Sequence, residues 1–251
     1  MTGDILDIDH VMVHVHDSEA AGRRFEALGF HVTPKSDLTA LGLSNRCVLF
    51  QPDNDRCANF IELMAIEKPD TVPPFMKAIL GEREGPVSLV LATDDVDAAA
   101  ENLRGRGVTC IDPFQVRREW RLADDDIVHP AFGVCIPEPE HHDPYWNLCQ
   151  YHTRELYVRP DLTTHANGAR RITGIRMRRP DAAATAAAIG KAWNTALARD
   201  AAGFVLRPGS VALRLESSEP HNEAAPVMRI EIDSADAFDD ATLFGLTLTR
   251  G

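Results

Sequence analysis

The sequence lacks the motifs and long apolar runs that identify several large protein classes. No apolar run approaches the ~20 residues that a helix needs to cross a bilayer. Basic residues are outnumbered, with 26 Lys and Arg against 38 Asp and Glu, and the net charge of −12 argues against nucleic acid or an anionic membrane as the main partner. The motifs GxSxG, GxxxxGK[ST] and GxGxxG are absent, which argues against serine hydrolases, P-loop proteins and dinucleotide-binding proteins.

Cysteine is also scarce, and its spacing argues against both disulfide bonds and a structural zinc site. The five cysteines are odd in number, scattered and without CxxC spacing, so neither a disulfide framework nor structural zinc is expected. The N-terminus has neither a basic segment nor an apolar core, so we expect no signal peptide. Reduced thiols in a cytoplasmic protein fit these features best. The cysteines are Cys47, Cys57, Cys110, Cys135 and Cys149.

What the sequence does contain is a repeated unit: a short apolar strand, an acidic turn and an Ala-rich helix. The unit begins at residues 8–17, returns at 87–95 and recurs in a looser form at 172–181. A spacing of roughly 80 residues is too long for a solenoid repeat and indicates duplicated small modules.

Three modules are therefore predicted, at 5–68, 86–153 and 170–251, the last one degenerate. In the first, Val11, Val13 and Val15 alternate with more polar residues, which predicts a strand with two different faces. Asp17 or Ser18 then serves as a helix N-cap, and further strands follow.

Two segments between these elements are poor in periodic pattern. Residues 67–85 are rich in Pro and Gly and predict a connector with a short helix around 75–80. Residues 117–144 are rich in Asp, Glu, His and Pro and predict a long irregular loop, which in a compact domain is usually functional or disordered.

Several segments resemble the vicinal oxygen chelate superfamily, which includes glyoxalase I, extradiol dioxygenases, fosfomycin-resistance enzymes and bleomycin-binding proteins. The resemblance covers most of residues 5–175 and implies an α+β fold, in which tandem β-α-β-β-β modules form a cupped mixed sheet around a cavity. The segments that carry it are 6–11, 19–30, 60–63, 148–153 and 165–169.

The resemblance also implies a divalent metal ion held by the first and last strands of the modules. These positions correspond to His10 and Glu62. Strand alternation agrees, because it places His10 and Glu62 on the face opposite the apolar residues that pack on the helix. An imidazole with a carboxylate suits Fe, Mn, Ni, Co or Zn and does not distinguish among them.

The second module departs from this ligand pattern. Its matching positions are Ser88 and Gln150, so only half of a four-ligand set is kept. Gln150 or His152 is expected to complete the metal shell or to act as the catalytic acid or base. His141 and His142, in the long loop, are further candidates for the missing ligand.

Each candidate site residue can also be explained by a role in the structure alone, without a ligand or a metal. His10 is equally well explained as a hydrogen-bonded core residue, and Glu62 as the partner of a buried ion pair with an arginine such as Arg46. Aromatic residues of the second module either line a ligand pocket or anchor the long loop: Trp120, Tyr145 and Trp146.

Three functions remain open at this level. The favoured one is a metal-dependent glyoxalase-like enzyme, of the lyase, isomerase or dioxygenase type, acting on a small oxygen-chelating substrate. The second is a metal-free protein that sequesters a small molecule, as bleomycin-resistance proteins do. The third is a structural or regulatory module without a ligand. The expected partner is a small molecule, neither nucleic acid nor membrane, and the superfamily leaves a homodimer open.

Overall fold

The structure is a computed structural model that describes residues 2–138, 143–218, 228–236 and 238–251. The candidate ligands His141 and His142 lie outside the described residues. None of the helices in the described ranges is long and apolar enough to cross a membrane. All five cysteines are buried and free, as the sequence predicts.

The first module is a β-α-β-β-β unit followed by a short connecting helix. The acidic turn acts as predicted, because the side chain of Asp17 accepts hydrogen bonds from the N–H groups of Glu19 and Ala20 at the start of the first helix. The elements are β1 (Ile5–His14), α1 (Ser18–Glu26), β2 (Ser36–Leu38), a 3-10 turn (Thr39–Leu41), β3 (Leu43–Leu49), β4 (Phe60–Ile66) and α2 (Pro74–Leu80).

The second module repeats this order with an added hairpin. Asp95 caps its helix in the way that Asp17 caps α1. The elements are β5 (Gly85–Thr93), α3 (Val96–Gly105), β6 (Phe114–Arg117), β7 (Trp120–Ala123), β8 (Asp126–Val128), β9 (Ala131–Cys135), β10 (Trp146–Tyr151) and a 3-10 turn (Arg154–Leu156).

The prediction of an irregular loop over 117–144 is therefore wrong for most of its length. The segment holds a two-stranded sheet, β7–β8, and strand β9 of the main sheet. These strands are three to five residues long. Alternation over so few residues is too weak to be recognised in a sequence.

One eight-stranded sheet joins the two modules, with the order β2-β3-β4-β1-β5-β10-β9-β6. Within each module the first and last strands pair in parallel, and the modules meet where β1 pairs with β5 in antiparallel fashion. Both halves of the sheet come from one chain, so no second copy is needed to complete the face between them.

The C-terminal part repeats the arrangement as a seven-stranded sheet, with the order β12-β13-β14-β11-β15-β17-β16. Its first half is a β-α-β-β-β unit: β11 (Ala169–Arg179), α4 (Ala182–Trp193), β12 (Leu197–Arg199), β13 (Phe204–Leu206) and β14 (Ala212–Ser217). In its second half the described residues form three strands: β15 (Met228–Ser234), β16 (Ala241–Leu243) and β17 (Leu246–Arg250).

The degeneracy predicted for this part lies in that second half. Only six residues, 235–240, separate β15 from β16, too few for a helix like α1. The α+β fold of glyoxalase-like modules is confirmed. The domain boundaries at 5–68, 86–153 and 170–251 stay predictions.

A continuous apolar core fills the space between the two sheets. It contains Val11, Val13 and Val15 from β1, together with residues of all three long helices and of the C-terminal sheet. A buried carboxylate joins the same parts, because Asp7 accepts hydrogen bonds from the Ser210 hydroxyl at 2.6 Å and the Val211 N–H at 3.0 Å. The first sheet therefore has its other face free for a site.

His165, part of the segment between the two sheets, is buried as a neutral imidazole. Its Nδ1 accepts a hydrogen bond from the His31 N–H and its Nε2 donates one to the Leu49 carbonyl, both at 2.9 Å. Burial lowers the pKa of His165 to about 4, and the positive charge of His31 adds to the effect. Asn167 bonds to the Leu28 carbonyl in the same segment, so these residues fix the linker to the first module.

We expect His165 to make folding stability depend on pH. The unfolded chain takes up a proton near pH 6.5, whereas the folded imidazole stays neutral down to about 4. The contribution of His165 to the free energy of unfolding therefore decreases as the pH falls, by about 2 kcal/mol between about pH 7 and pH 5. Urea unfolding of the native protein and of His165→Asn at the two pH values measures this, with exposed His129→Asn as the control. An equal loss in native and His165→Asn protein would contradict it.

Candidate functional site

A cavity lies on the face of the first sheet opposite α1 and α3. Both modules contribute to its wall, and α2 covers part of it. The space between its walls is about 830 Å³ when the open mouth is counted. The strand residues that line its centre are His10 and Met12 of β1, Phe60, Glu62 and Met64 of β4, Val90 of β5, and Asn147, Cys149 and Tyr151 of β10.

Most of the wall is apolar. Buried aliphatic side chains and methionines from both modules pack around one part of the cavity. A ligand portion resting here must be apolar to gain from desolvation. The buried members that line the cavity are Met12, Leu38, Leu43, Met64, Met76, Ile79, Val90, Ile136 and Cys149.

The polar part of the cavity is built around His10. Its Nδ1 lies 2.6 Å from an Oδ atom of Asp9, and a carboxylate can only accept, so Nδ1–H is the donor. Asp9 is fully buried and also accepts from the Tyr151 hydroxyl and the Ala58 N–H, both at 2.7 Å. The His10 ring stacks on Phe60 at 3.9 Å. These contacts fix the ring so that Nε2 faces Glu62.

Glu62 is the second charged group at this end. One of its carboxylate oxygens accepts a hydrogen bond from the Asn45 side chain at 2.6 Å, and the other lies 3.6 Å from His10 Nε2. That separation is too long for a good direct hydrogen bond. A ligand atom beside these two groups, off the line that joins them, would contact both.

The protonation states follow from this geometry. Burial alone would lower the pKa of His10, but the carboxylates of Asp9 and Glu62 outweigh it and raise that pKa to about 9. Burial alone would raise the pKa of Glu62, but His10, Asn45 and Arg118 lower it overall. At neutral pH the pair is an imidazolium beside a carboxylate.

The second module offers no equivalent pair. In the pairing of β1 with β5, His10 lies opposite Val90 and Met12 opposite Ser88, and this symmetric register makes the uncharged Ser88 the counterpart of His10. Along β10 the residues that line the cavity are Asn147, Cys149 and Tyr151, and burial raises the pKa of the Cys149 thiol well above the usual range. Ser88 instead donates to the Asn147 side chain at 2.7 Å.

Gln150 and His152 do not line the cavity. The Gln150 amide donates to the Asp94 carbonyl at 2.7 Å and accepts from the Val96 N–H at 3.2 Å, so it ties β10 to the start of α3 on the opposite face. His152 is exposed and bonds to Gln115 at 2.7 Å. A catalytic role for either residue stays a prediction that this placement does not favour.

The other structural interpretations are also resolved by contacts. Arg46 pairs with Glu19 and not with Glu62. Trp146 packs into the core between the sheets, against Trp193 at 6.0 Å. Trp120 is buried beside the cavity, 5.6 Å from the ring of Tyr157.

Sequence reasoning missed several polar residues that line the cavity. Asn45 and Tyr151 fall on the cavity face of strands whose neighbours are apolar, and alternation from Glu62 and Cys149 would have found them. Arg118 and Tyr157 lie outside the long strands, where alternation gives no signal. The missed polar residues are Asn45, Arg118, Asn147, Tyr151 and Tyr157.

The donor set fits a resident divalent metal only in part. The Asp9–His10 contact is the second-shell arrangement that metal-ligating histidines usually have. However, protein metal sites of this type need at least three such side chains, and the described ranges contain no group of three His, Cys, Asp or Glu arranged to hold an ion. The Arg118 guanidinium also lines the same cavity and would repel a cation. The residues that the structure describes therefore do not complete a metal centre.

The fold and this cavity agree with one family. The glyoxalase-like domain profile matches residues 8–193, and the chain belongs to that family. The match spans both modules of the first sheet and extends through α4. The chain thus has the vicinal oxygen chelate fold that its sequence resembles.

Solved structures extend the likeness to the whole chain. A hypothetical protein from Staphylococcus aureus is 12% identical with a TM-score of 0.72, over 96% of this chain and 98% of that one. A xylose isomerase-like TIM barrel/4-hydroxyphenylpyruvate dioxygenase fusion protein is 16% identical with a TM-score of 0.55, over 94% of this chain and 37% of that one. At these identities the likeness establishes the fold alone.

A methylmalonyl-CoA epimerase, in complex with methylmalonyl-CoA and NH4+, is 22% identical over 60% of this chain and 98% of that one, with a TM-score of 0.46. No curated protein matches the sequence.

We expect Asp9→Asn to destabilise the protein by about 3 kcal/mol, because it breaks a buried ion pair and leaves His10 without its partner. Chemical unfolding measures the change, with Asp55→Asn, at an exposed position in the first module, as the matched control. A loss no larger than in the control would show that Asp9 does not hold the site together.

Proposed function

We propose that this protein binds a small organic molecule with a polar head and an apolar body, and that His10 and Glu62 transfer a proton on it next to a carbonyl group. The observation that carries the proposal is the oriented His10–Glu62 pair at the polar end of an otherwise apolar, buried cavity.

The form of the ligand follows from the wall. Apolar side chains surround most of the cavity, while its charged groups are confined to one part. Burying an apolar body gains about 25 cal/mol per Å² of surface removed from water. A polar head placed at His10 meets a donor at Nε2 and an acceptor at Glu62, whereas the same head among the methionines would remain without hydrogen bonds.

The chemistry follows from the two protonation states. Glu62, as a carboxylate, is the base that accepts a proton from the carbon beside the carbonyl. His10, as an imidazolium, donates a hydrogen bond to the carbonyl oxygen and stabilises the negative charge that develops there. Asp9 does not touch the ligand in this arrangement; it positions the ring through Nδ1.

Proton exchange at carbon tests this proposal with 2-oxooctanoate as the probe. In D₂O we expect the protein to accelerate loss of the C3–H signals in the proton NMR spectrum. His10→Gln and Glu62→Gln should each slow the exchange by about 100-fold or more, because each removes a group that acts on the reacting atoms. His16→Gln, at an exposed position near the end of β1, is the matched control. The proposal would be overturned if the native protein did not accelerate the exchange. It would also be overturned if either site variant exchanged the C3–H protons as fast as the native protein does.

A metal-dependent enzyme of the glyoxalase or dioxygenase type is the second candidate function. The observation that favours it is the convergence of His10 and Glu62 with a carboxylate behind the histidine. Two protein ligands would then have to be supplemented by the substrate itself.

Metal content separates the two candidates. Protein purified without a His-tag is analysed by inductively coupled plasma mass spectrometry, beside His10→Ala and Glu62→Ala. From the incomplete donor set we expect far less than one divalent ion per chain, unchanged in both variants. Near one ion per chain, lost in both variants, would establish the metal-dependent candidate instead.

A further inference from the structure

Arg118 is the most deeply buried guanidinium for which the structure supplies no counterion in direct contact. The residue follows β6, where its backbone N–H donates to the Pro130 carbonyl at 3.1 Å. Only 8% of its surface is exposed, and its side chain lines the cavity. It acts on the proton-transfer pair only at longer range, by helping to lower the pKa of Glu62.

The contacts of the guanidinium are weak or neutral. It donates to the Ser36 hydroxyl and, at 3.5 Å, to the Tyr157 hydroxyl, and it lies 5.0 Å from the centre of the Trp120 ring. Its Nε is buried without a hydrogen-bond acceptor. Within the described ranges, no carboxylate lies at ion-pair distance from it.

Two other largely buried arginines have the carboxylate partner that Arg118 lacks. The side chains of Arg46 and Arg179 are each 13% exposed, and each has a carboxylate partner, Glu19 and Asp143 respectively. Arg118 is buried at least as deeply and has two hydroxyl groups instead. Glu62 acts on Arg118 only at longer range, since its oxygens face Asn45 and His10.

Physical chemistry makes this arrangement costly unless an anion completes it. A buried charge without a hydrogen-bonded partner of opposite sign is strongly unfavourable. A guanidinium binds a carboxylate through charge-assisted hydrogen bonds, which are stronger than its bonds to neutral hydroxyl groups. The cavity is where such a group would enter, because Arg118 and Tyr157 both line it.

We propose that Arg118 is the anchor for a carboxylate group of the ligand, so that the protein takes carboxylic acids whose apolar body lies along the methionine-rich wall. This inference rests on the proposed function for the existence of a ligand in the cavity. It adds the sign of the ligand's charge and the residue that recognises it. Ser36 and Tyr157 hold the guanidinium in place by accepting its hydrogen bonds.

Binding of a carboxylate and its neutral amide to the native protein tests the inference without any substitution. Octanoate and octanamide have the same apolar chain and differ in charge. We expect octanoate to bind roughly 10- to 100-fold more tightly in isothermal titration calorimetry, because a charge-assisted hydrogen bond favours the anion. Equal affinities would overturn the anchor while leaving the binding cavity intact. Binding of neither probe would overturn both the anchor and the proposed function.

Variants then identify the residue responsible. Arg118→Gln should remove the preference, so that octanoate binds no more tightly than octanamide, whereas Arg118→Lys should keep part of the preference. Arg117→Gln, on the neighbouring exposed position, is the matched control. A preference that survives in Arg118→Gln would overturn the assignment. If octanoate is preferred but carbon exchange is absent, the anchor stands and the proton-transfer role of His10 and Glu62 falls.

Discussion

The carboxylate of Asp9 is the group on which the polar end of the cavity depends. It is buried, and three donors from different parts of the chain converge on it: the His10 ring, the Tyr151 hydroxyl and the Ala58 N–H. Tyr151 is on the last strand of the second module, whereas Asp9 and His10 are on the first strand of the first. One carboxylate therefore fixes the histidine and ties the two modules together behind the site. Because burial raises the pKa of the Tyr151 phenol well above its usual range, that hydroxyl remains a donor.

The duplicated architecture explains why the cavity has two unlike parts. Antiparallel pairing of β1 with β5 relates the two modules, so a symmetric ancestor would carry the same pair of polar residues twice. In this chain one half holds His10 and Glu62, and the strand registers make Ser88 and Asn147 their counterparts in the other half. Ser88 and Asn147 are uncharged and hydrogen-bonded to each other, so they leave a metal site without two ionisable ligands.

Strand alternation predicted a large part of the site and failed at identifiable places. On β4 it correctly placed Phe60, Glu62 and Met64 on the cavity face, because Ile61 and Leu63 are plainly core residues. On β10 it gave the wrong face for Gln150. Both faces of that strand are largely apolar, so period-two alternation groups the residues correctly without saying which group faces the helix.

Arg118 shows a different limit. Its neighbours Arg117 and Glu119 are exposed, and the sequence there reads as a solvated loop. Its burial arises from contacts with Ser36 and Tyr157, which are far from it in sequence. Tertiary contacts of this kind leave no trace in local periodicity. The repeat of the modules, in contrast, can be recognised from strand, cap and helix patterns that are all local in sequence. For this reason the fold was predictable.

The protonation state of the His10 ring tests the account most directly. In ¹⁵N-labelled, metal-free protein at neutral pH, we expect both ring nitrogens of His10 to show the chemical shifts of a protonated imidazolium, because Asp9 and Glu62 raise its pKa to about 9. The signals of the His10 ring nitrogens are identified as those that are missing from the spectrum of His10→Gln protein. A ring with one unprotonated nitrogen at neutral pH would contradict the buried charge pair, and with it the roles given to His10 and Glu62.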